Sequence, residues 1–447
     1  MRNISDVLID VGLGAYDEII AELYGEENVP NQRKRIIRAL NEHEVEFGFG
    51  LDREARVFSA PARIEIAGNH TDHQLGNALS ACICKDMLAI VTRNNDGVIR
   101  IKNGNMPLDC IAVYMNAKAD PKEYSPLGDI IISDLDPYEH EEQKQIAIIR
   151  GIAGRFYLMG CRLEGFDCYI TSDIPEKSGL CSETVFEVLI GEIMNHLYMD
   201  GKIPPEEIAQ ICQFAENYYF KKPGGLMNQL TTALGGTIWG DFYDIDQPFV
   251  KRIDFDFTNC GYTLCLVESR DPEKVYTDDF YLILGEMKSA SNFFGKTALS
   301  RVEESEFLEY MADVRQRCGD RAVLSALHYF EEDKHAVRCS KCLMAKDFEG
   351  FYKEFKRSGK SSFMYLHNIC TADNSDSQPM SVAFTYCHRL LEGKGAVRVH
   401  GGAVEAFVPN DMVEGFKNYT EKLFGAGRCH IMKIRQQGCV EIGGIYG

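Results

Sequence analysis

Residues Pro175 to Leu197 read PEKSGLCSETVFEVLIGEIMNHL. A proline and a Ser-Gly turn run straight into a segment in which Phe186, Leu189, Ile190, Ile193 and Leu197 recur at helical spacing. That pattern predicts a helix from about Ser182. A turn of small residues feeding a helix start presents free backbone N–H groups at the positive end of the helix dipole, an arrangement that receives phosphate. Gly179, Leu180, Cys181 and Ser182 are the candidate phosphate loop. Glu183 fits badly, because it places a negative charge in the first turn, where a phosphate wants small neutral neighbours.

The rest of the chain sets the context. It has 447 residues, 45% hydrophobic and 26% charged, which is enough for two or more cores. A net charge of −19 argues against a nucleic-acid or anionic-membrane surface, without excluding a nucleotide held by local N–H groups. The 16 cysteines are scattered, and many lie in apolar runs, as buried thiols of a reducing compartment do. The N-terminus is polar and acidic with no apolar signal core, and no apolar run reaches the roughly 18 residues of a membrane span. These features predict a cytoplasmic protein.

Residues 1–50 read as a helical packing extension. RVFSAPARIEIAG, residues 56–68, reads as strand, turn, strand. The polar knot Asn69, His70, Thr71, Asp72, His73 follows at once, before the apolar run Ala78 to Ile83. Polar groups between buried strands cost free energy unless they find partners. The knot therefore reads either as an Asx-type turn or as a site for sugar hydroxyls. A metal reading of His70, Asp72 and His73 lacks a third or fourth ligand. Strands are expected over 88–115 and 166–174, and helices over 140–160 and 204–221. PGGLMNQLTTALGG, residues 223–236, reads as a short helix capped by Asn228 and stopped by Gly-Gly. Residues 237–270 return to strands, 277–391 are mostly helical, and AVRVHGGAVEAFVP and CHIMKIR are terminal strands joined by a helix. The lone CxxC of Cys339 and Cys342 has no second pair, so it reads as incidental. Strand runs with attached helices, without strict βαβ alternation, indicate an α+β protein with two lobes joined near residue 250.

Three stretches together carry a resemblance. SAPARIEIAGNHTDHQLGNAL, PEKSGLCSETVFEVL and GAVRVHGGAVEAFVPND resemble, in this order, the three motifs of the galactokinase branch of the GHMP small-molecule kinases. AEN at Ala215 to Asn217 precedes GGLMNQ by the spacing that family keeps between its AEH and CGIMDQ. The resemblance covers residue 50 to the C-terminus. It implies a two-lobed GHMP kinase fold, with mixed sheets and helices packed on them: an N-terminal helical extension 1–50, an N-terminal lobe 51–250 and a C-terminal lobe 251–447. It also implies the family reaction, ATP-dependent phosphorylation of galactose to galactose 1-phosphate with Mg-ATP. By position, Arg63 matches the arginine that stabilises the transferring group. Asn69, His70, Asp72 and Gly225 match sugar-binding positions. Gly179 to Glu183 match the nucleotide loop. Glu216 matches the magnesium ligand, with Glu183 where the family has a serine beside the phosphate and the ion.

The departures fall on the chemistry. Asn228 stands where the family has its catalytic Asp, and an amide cannot take a proton at neutral pH. Asn69 replaces a sugar-binding Glu. A carboxylate at 183, about 4 Å from a phosphate in an effective dielectric near 20, is repelled by roughly 4 kcal/mol per charge pair. Either magnesium sits between them, or Glu183 stabilises the helix dipole and fills the anion site itself; the second is the expectation. After Gly402 the family's further glycines are missing, so the backbone approaches phosphate and sugar less closely. The sequence thus predicts a galactokinase-like protein with weak or lost kinase activity and retained binding of a sugar, galactose or a relative, or of a protein partner. The alternative is an active ATP-dependent sugar kinase.

Overall fold

The computed structural model describes residues 2–48, 53–94, 97–104, 111–114, 141–175, 178–219, 222–244, 247–270, 280–369 and 376–443. Glu176 and Lys177 of the opening stretch, parts of the 88–115 region and the first residues of the 277–391 region lie outside the described residues.

Long alternating strands build the first sheet. β1 (Ala55–Ala67) and β2 (Asn77–Arg93) pair antiparallel along most of their length. β1 is one continuous strand, where the sequence predicted strand, turn, strand. Pro61 is accommodated at a register shift between Pro61 and Arg63, and a second shift falls between Glu65 and Ala67. A bulge absorbs a residue that cannot donate to the ladder and re-aims the side chains beside it. β3 (Val98–Asn103), β4 (Ile111–Tyr114), β5 (Phe166–Ser172), β6 (Thr237–Asp241) and β7 (Phe249–Ile253) extend the sheet. The second sheet holds β8 (Tyr262–Glu268), β9 (Ala396–His400), β10 (Ala403–Pro409) and β11 (Cys429–Met432), in the order β11-β8-β10-β9. AVRVHGGAVEAFVP is therefore a hairpin of two strands turned at Gly401-Gly402, not one strand. β12 (Val440–Ile442) returns from the chain's end to pair with β1.

The period-2 alternation of β1 and β2 feeds two cores. Phe58, Ala89 and Val91 face a large core with α4 (Glu141–Leu158), α5 (Ser182–Tyr198), α6 (Pro205–Phe214) and α7 (Met227–Leu234). The five apolar positions that predicted α5 are all buried there. Val57, Leu88 and Ile90 face the opposite way, onto α1 (Ile4–Gly12), α2 (Asp17–Tyr24) and α3 (Val29–Phe47). The remaining helices are α8 (Phe280–Phe293), α9 (Glu304–Glu309), α10 (Met311–Cys318), α11 (Asp320–Met344), α12 (Phe348–Ser361), α13 (Pro379–Leu390) and α14 (Val413–Phe424). The described cysteines are all free, and no described helix is long and apolar enough to cross a membrane.

A buried ionic knot ties the N-terminal helices to the sheet. Asp86, wholly buried in β2, accepts from Tyr24 Oη (2.5 Å) and from Arg35 Nη1 (2.6 Å), and Arg435 Nη1 lies 3.6 Å away. Burial works to protonate Asp86, but Arg35 and Arg435 outweigh it and hold the carboxyl below its ordinary range. A depressed carboxyl stabilises the fold above its unfolded-state value, about 3.9, and that stabilisation is lost as pH falls through the folded value. Tyr24→Phe removes one charge-assisted bond and is expected to cost about 1.5–3 kcal/mol. Urea unfolding at pH 7 measures it; the penalty is expected to shrink once pH falls through the depressed value and Asp86 loses its charge.

Candidate functional site

The site lies where the end of β1 and the turn after it meet the start of α5, the segment before α7, the β9–β10 hairpin and α11. The phosphate-loop candidates form a tight turn. Ser178 Oγ donates to Pro175 O at 2.7 Å, and Cys181 adopts a left-handed conformation with φ 53° as it leads into α5. Gly401 of the β9–β10 turn lies so close that a Cβ there would meet Gly179 Cα at 2.6 Å. The loop is thus braced by the third motif through glycine backbone alone. Leu180 is buried, whereas Ser182 and Glu183 are exposed. Arg63, buried in β1, reaches the Cys181 sulfur with Nη2, which brings the first motif onto the loop.

The sugar-site candidates converge on one short turn after β1. His70 adopts φ 60°, and its Nδ1 lies 3.1 Å from His73 Nε2. Burial, then its neighbours His73 and His328, push His70 well below the ordinary histidine value, so its ring is neutral at pH 7. Asp72 Oδ1 accepts from His73 N at 2.8 Å, and the Met227 N–H also stabilises the carboxylate. Burial, helped by Glu65, nevertheless raises Asp72 to about 6. Gly225 lies against it: a Cβ there would sit 1.8 Å from Asp72 Oδ2, so only glycine fits. Arg63 is close enough to Asp72 to oppose that rise.

α11 clamps this turn, which the sequence did not reveal. Glu332 Oε1 accepts from Gly68 N at 2.9 Å and from Ser358 Oγ at 2.6 Å. His328 Nε2 lies 2.9 Å from Asn69 O, and Asn69 Nδ2 reaches Ser362 Oγ at 3.5 Å. Arg398 of β9, wholly buried, pairs with Glu65 at 2.8 Å and lies 4.0 Å from Glu332. Glu405 faces Arg398 across the hairpin. Burial raises Glu405 to about 8, although Arg398 works the other way, so the carboxyl is mostly protonated at pH 7. The only sequence sign of this cluster was a pair of charges inside the apolar third motif.

Asn228 does not cap its helix. Leu226 is the cap residue, with no side-chain cap bond, and Asn228 sits half-buried in the first turn of α7, next to the Met227 N–H that serves Asp72. Glu216 is buried on a single π-turn (Ala215–Tyr219) that follows α6, where the sequence predicted plain helix through 221. Gln229 Nε2 donates to Glu216 Oε2 at 2.8 Å and to Glu187 Oε2 at 3.1 Å. Burial, then Glu216, lift Glu187 well above its ordinary range, so it holds its proton.

Glu183, expected to stabilise the helix dipole and fill the anion site, has a partner that the sequence did not reveal. Its Oε2 receives Lys222 Nζ at 2.8 Å, and the same ammonium lies 3.2 Å from Glu216 Oε1. Burial works to discharge Lys222, but Glu216 and Glu183 raise it well above the ordinary lysine value. Magnesium does not fit this triad as it stands, because an ammonium fills the point between the two carboxylates. Among the described residues no group of three or more His, Cys, Asp or Glu is arranged to hold a metal ion, and this includes His70, Asp72 and His73. Lys222, Glu187, Gln229 and the α11 residues were missed from the sequence. Lys222 left one sign, a cation placed six residues after Glu216 and just before Gly-Gly.

Comparison with known proteins bears on this geometry. Residues 147–236 match the GHMP kinases N terminal domain, and residues 41–93 match the galactokinase galactose-binding signature. The chain is similar to the galactokinase of Glaesserella parasuis, 26% identical over 389 residues, which span 85% of this chain and 91% of the relative. With the galactokinase of Streptomyces coelicolor it shares 26% over 304 residues, or 67% and 71% of the two chains. The structure of Lactococcus lactis galactokinase complexed with galactose superposes with a TM-score of 0.72 at 18% identity, covering 91% of this chain and 99% of that one. Methanococcus jannaschii mevalonate kinase superposes at 0.54, with 13% identity and coverage of 85% and 98%. At these identities the superpositions establish a shared α+β fold.

Proposed function

Since this chain belongs to the galactokinase branch of the GHMP kinases, whose reaction is the ATP-dependent phosphorylation of galactose, we propose that it binds galactose or a related hexose and transfers phosphate to it weakly or not at all. The observation that carries this is Asn228. It stands one residue from the Met227 N–H that stabilises Asp72, and by its motif it matches the family's proton acceptor. An amide can orient a hydroxyl there but cannot deprotonate it. A positioned base is worth about 10²–10⁴ in rate, and that factor goes with it. The sugar side keeps its equipment: neutral His70, the carboxylate of Asp72, the space at Gly225 and a turn fixed by Glu332 and His328. Hydroxyl recognition by a carboxylate and a neutral imidazole needs no metal and no nucleotide.

Titration calorimetry with galactose, beside a coupled assay of ATP turnover, tests the proposal. Saturable galactose binding with turnover below about 1 s⁻¹ is expected. Turnover in the ordinary kinase range, or no sugar binding at all, overturns it. Asp72→Asn is expected to weaken galactose about 10–150-fold, the worth of a hydrogen bond to a charged group. Because Asp72 sits at about 6, the wild-type affinity is expected to hold above pH 7 and to fall as pH drops through 6. The Asp72→Asn variant is expected to show no such inflection.

A further inference from the structure

The first turn of α5 meets, at Lys222, a stretch some forty residues further along the chain: the π-turn after α6 and the segment leading to Gly224-Gly225. The ammonium touches Glu183 at 2.8 Å and Glu216 at 3.2 Å, and Glu216 is itself held from its other oxygen by Gln229. Glu216 is buried and Lys222 half-buried, so the arrangement is a built one and not a chance surface pair. We infer that Lys222 is a resident cation that occupies the metal position of this fold and closes it to a divalent ion. This rests on the weak-transfer reading above and supplies a second, independent cause for it.

The charges give the physical reason. Two carboxylates facing one ammonium leave a net charge of −1, whereas a serine, one carboxylate and a divalent ion would leave +1. A nucleotide polyphosphate therefore meets repulsion where it would need attraction, while a neutral hexose is unaffected. A divalent ion must expel the ammonium before it can reach either carboxylate, and the expelled lysine would lose both partners. Glu183 and Lys222 compensate each other: the acid that spoils a phosphate site is the acid that anchors the lysine.

The test uses manganese as the probe, counted by the paramagnetic resonance of the free ion, on the full chain. Wild-type protein is expected to show no specific site below millimolar manganese. Lys222→Met, which leaves Glu183 and Glu216 facing each other without a cation, is expected to gain one site at least tenfold tighter. Lys222→Arg is expected to gain none. If Lys222→Met does not fold, Glu183→Ser/Lys222→Met relieves the carboxylate repulsion and carries the same expectation. Wild-type protein that binds one manganese as tightly as the methionine variants, or folded methionine variants that gain no site, overturns the inference. Galactose calorimetry on the same samples separates the two readings: loss of sugar binding in the wild type sinks the proposed function and leaves the manganese result standing.

Discussion

The triple change Asn228→Asp, Glu183→Ser, Lys222→Met is expected to raise galactose phosphorylation at least 10²-fold over the wild type, whereas Asn228→Asp alone is expected to raise it little. The asymmetry follows from where each residue acts. A carboxylate at 228 restores a proton acceptor, worth about 10²–10⁴ once both substrates are in place. Phosphoryl transfer depends almost wholly on positioning and on neutralising charge, so a base without a seated nucleotide has nothing to act on. Removing Glu183 takes away one of the two carboxylates that anchor Lys222. Removing Lys222 frees Glu216 to bind an ion. Groups that work as a unit are strongly non-additive, so the triple should exceed the product of the singles. A coupled assay with galactose and Mg-ATP measures this. A full gain from Asn228→Asp alone would show that the charge triad is not limiting; no gain from the triple would show that the loss lies elsewhere, for instance in the shortened glycine turn.

Arg398→Met is expected to destabilise the protein by about 3–5 kcal/mol, the usual result of removing one partner from a buried ionic cluster. Arg398 is wholly buried and holds Glu65 at 2.8 Å, with Glu332 at 4.0 Å and Glu405 opposite it in the hairpin. Without the guanidinium, Glu65 and Glu332 lose their compensating charge. Glu332 is also the acceptor for the Gly68 N–H, so the turn after β1, where the proposed sugar site lies, should loosen as the fold weakens. The urea midpoint and galactose affinity are both expected to fall. Adding Glu405→Leu takes one buried carboxyl out of the cluster and is expected to recover part of the stability, since apolar replacement of buried ionic groups is often neutral or better. If Arg398→Met left both the midpoint and the affinity unchanged, the cluster would not be what joins the second sheet to the sugar turn.

The α+β class, the α5 helix with its small-residue turn and the order of the motifs were legible in the chain alone, because they rest on periodicity and local backbone chemistry. So were both departures, Asn228 and Glu183, because a changed side chain at a motif position is visible without coordinates. What a side chain does after folding was not legible. β1 stayed extended through Pro61 because pairing with β2 and a bulge outweighed the local turn signal. The partner of Glu183 proved to be Lys222, 39 residues away and outside α5. The Glu332 to Gly68 bond spans 264 residues, and the Arg398 to Glu65 pair spans 333. Such partnerships are set by which surfaces the two cores press together, and no local pattern encodes them. Only the tertiary structure brings Lys222, from the segment before α7, to the carboxylate in the first turn of α5.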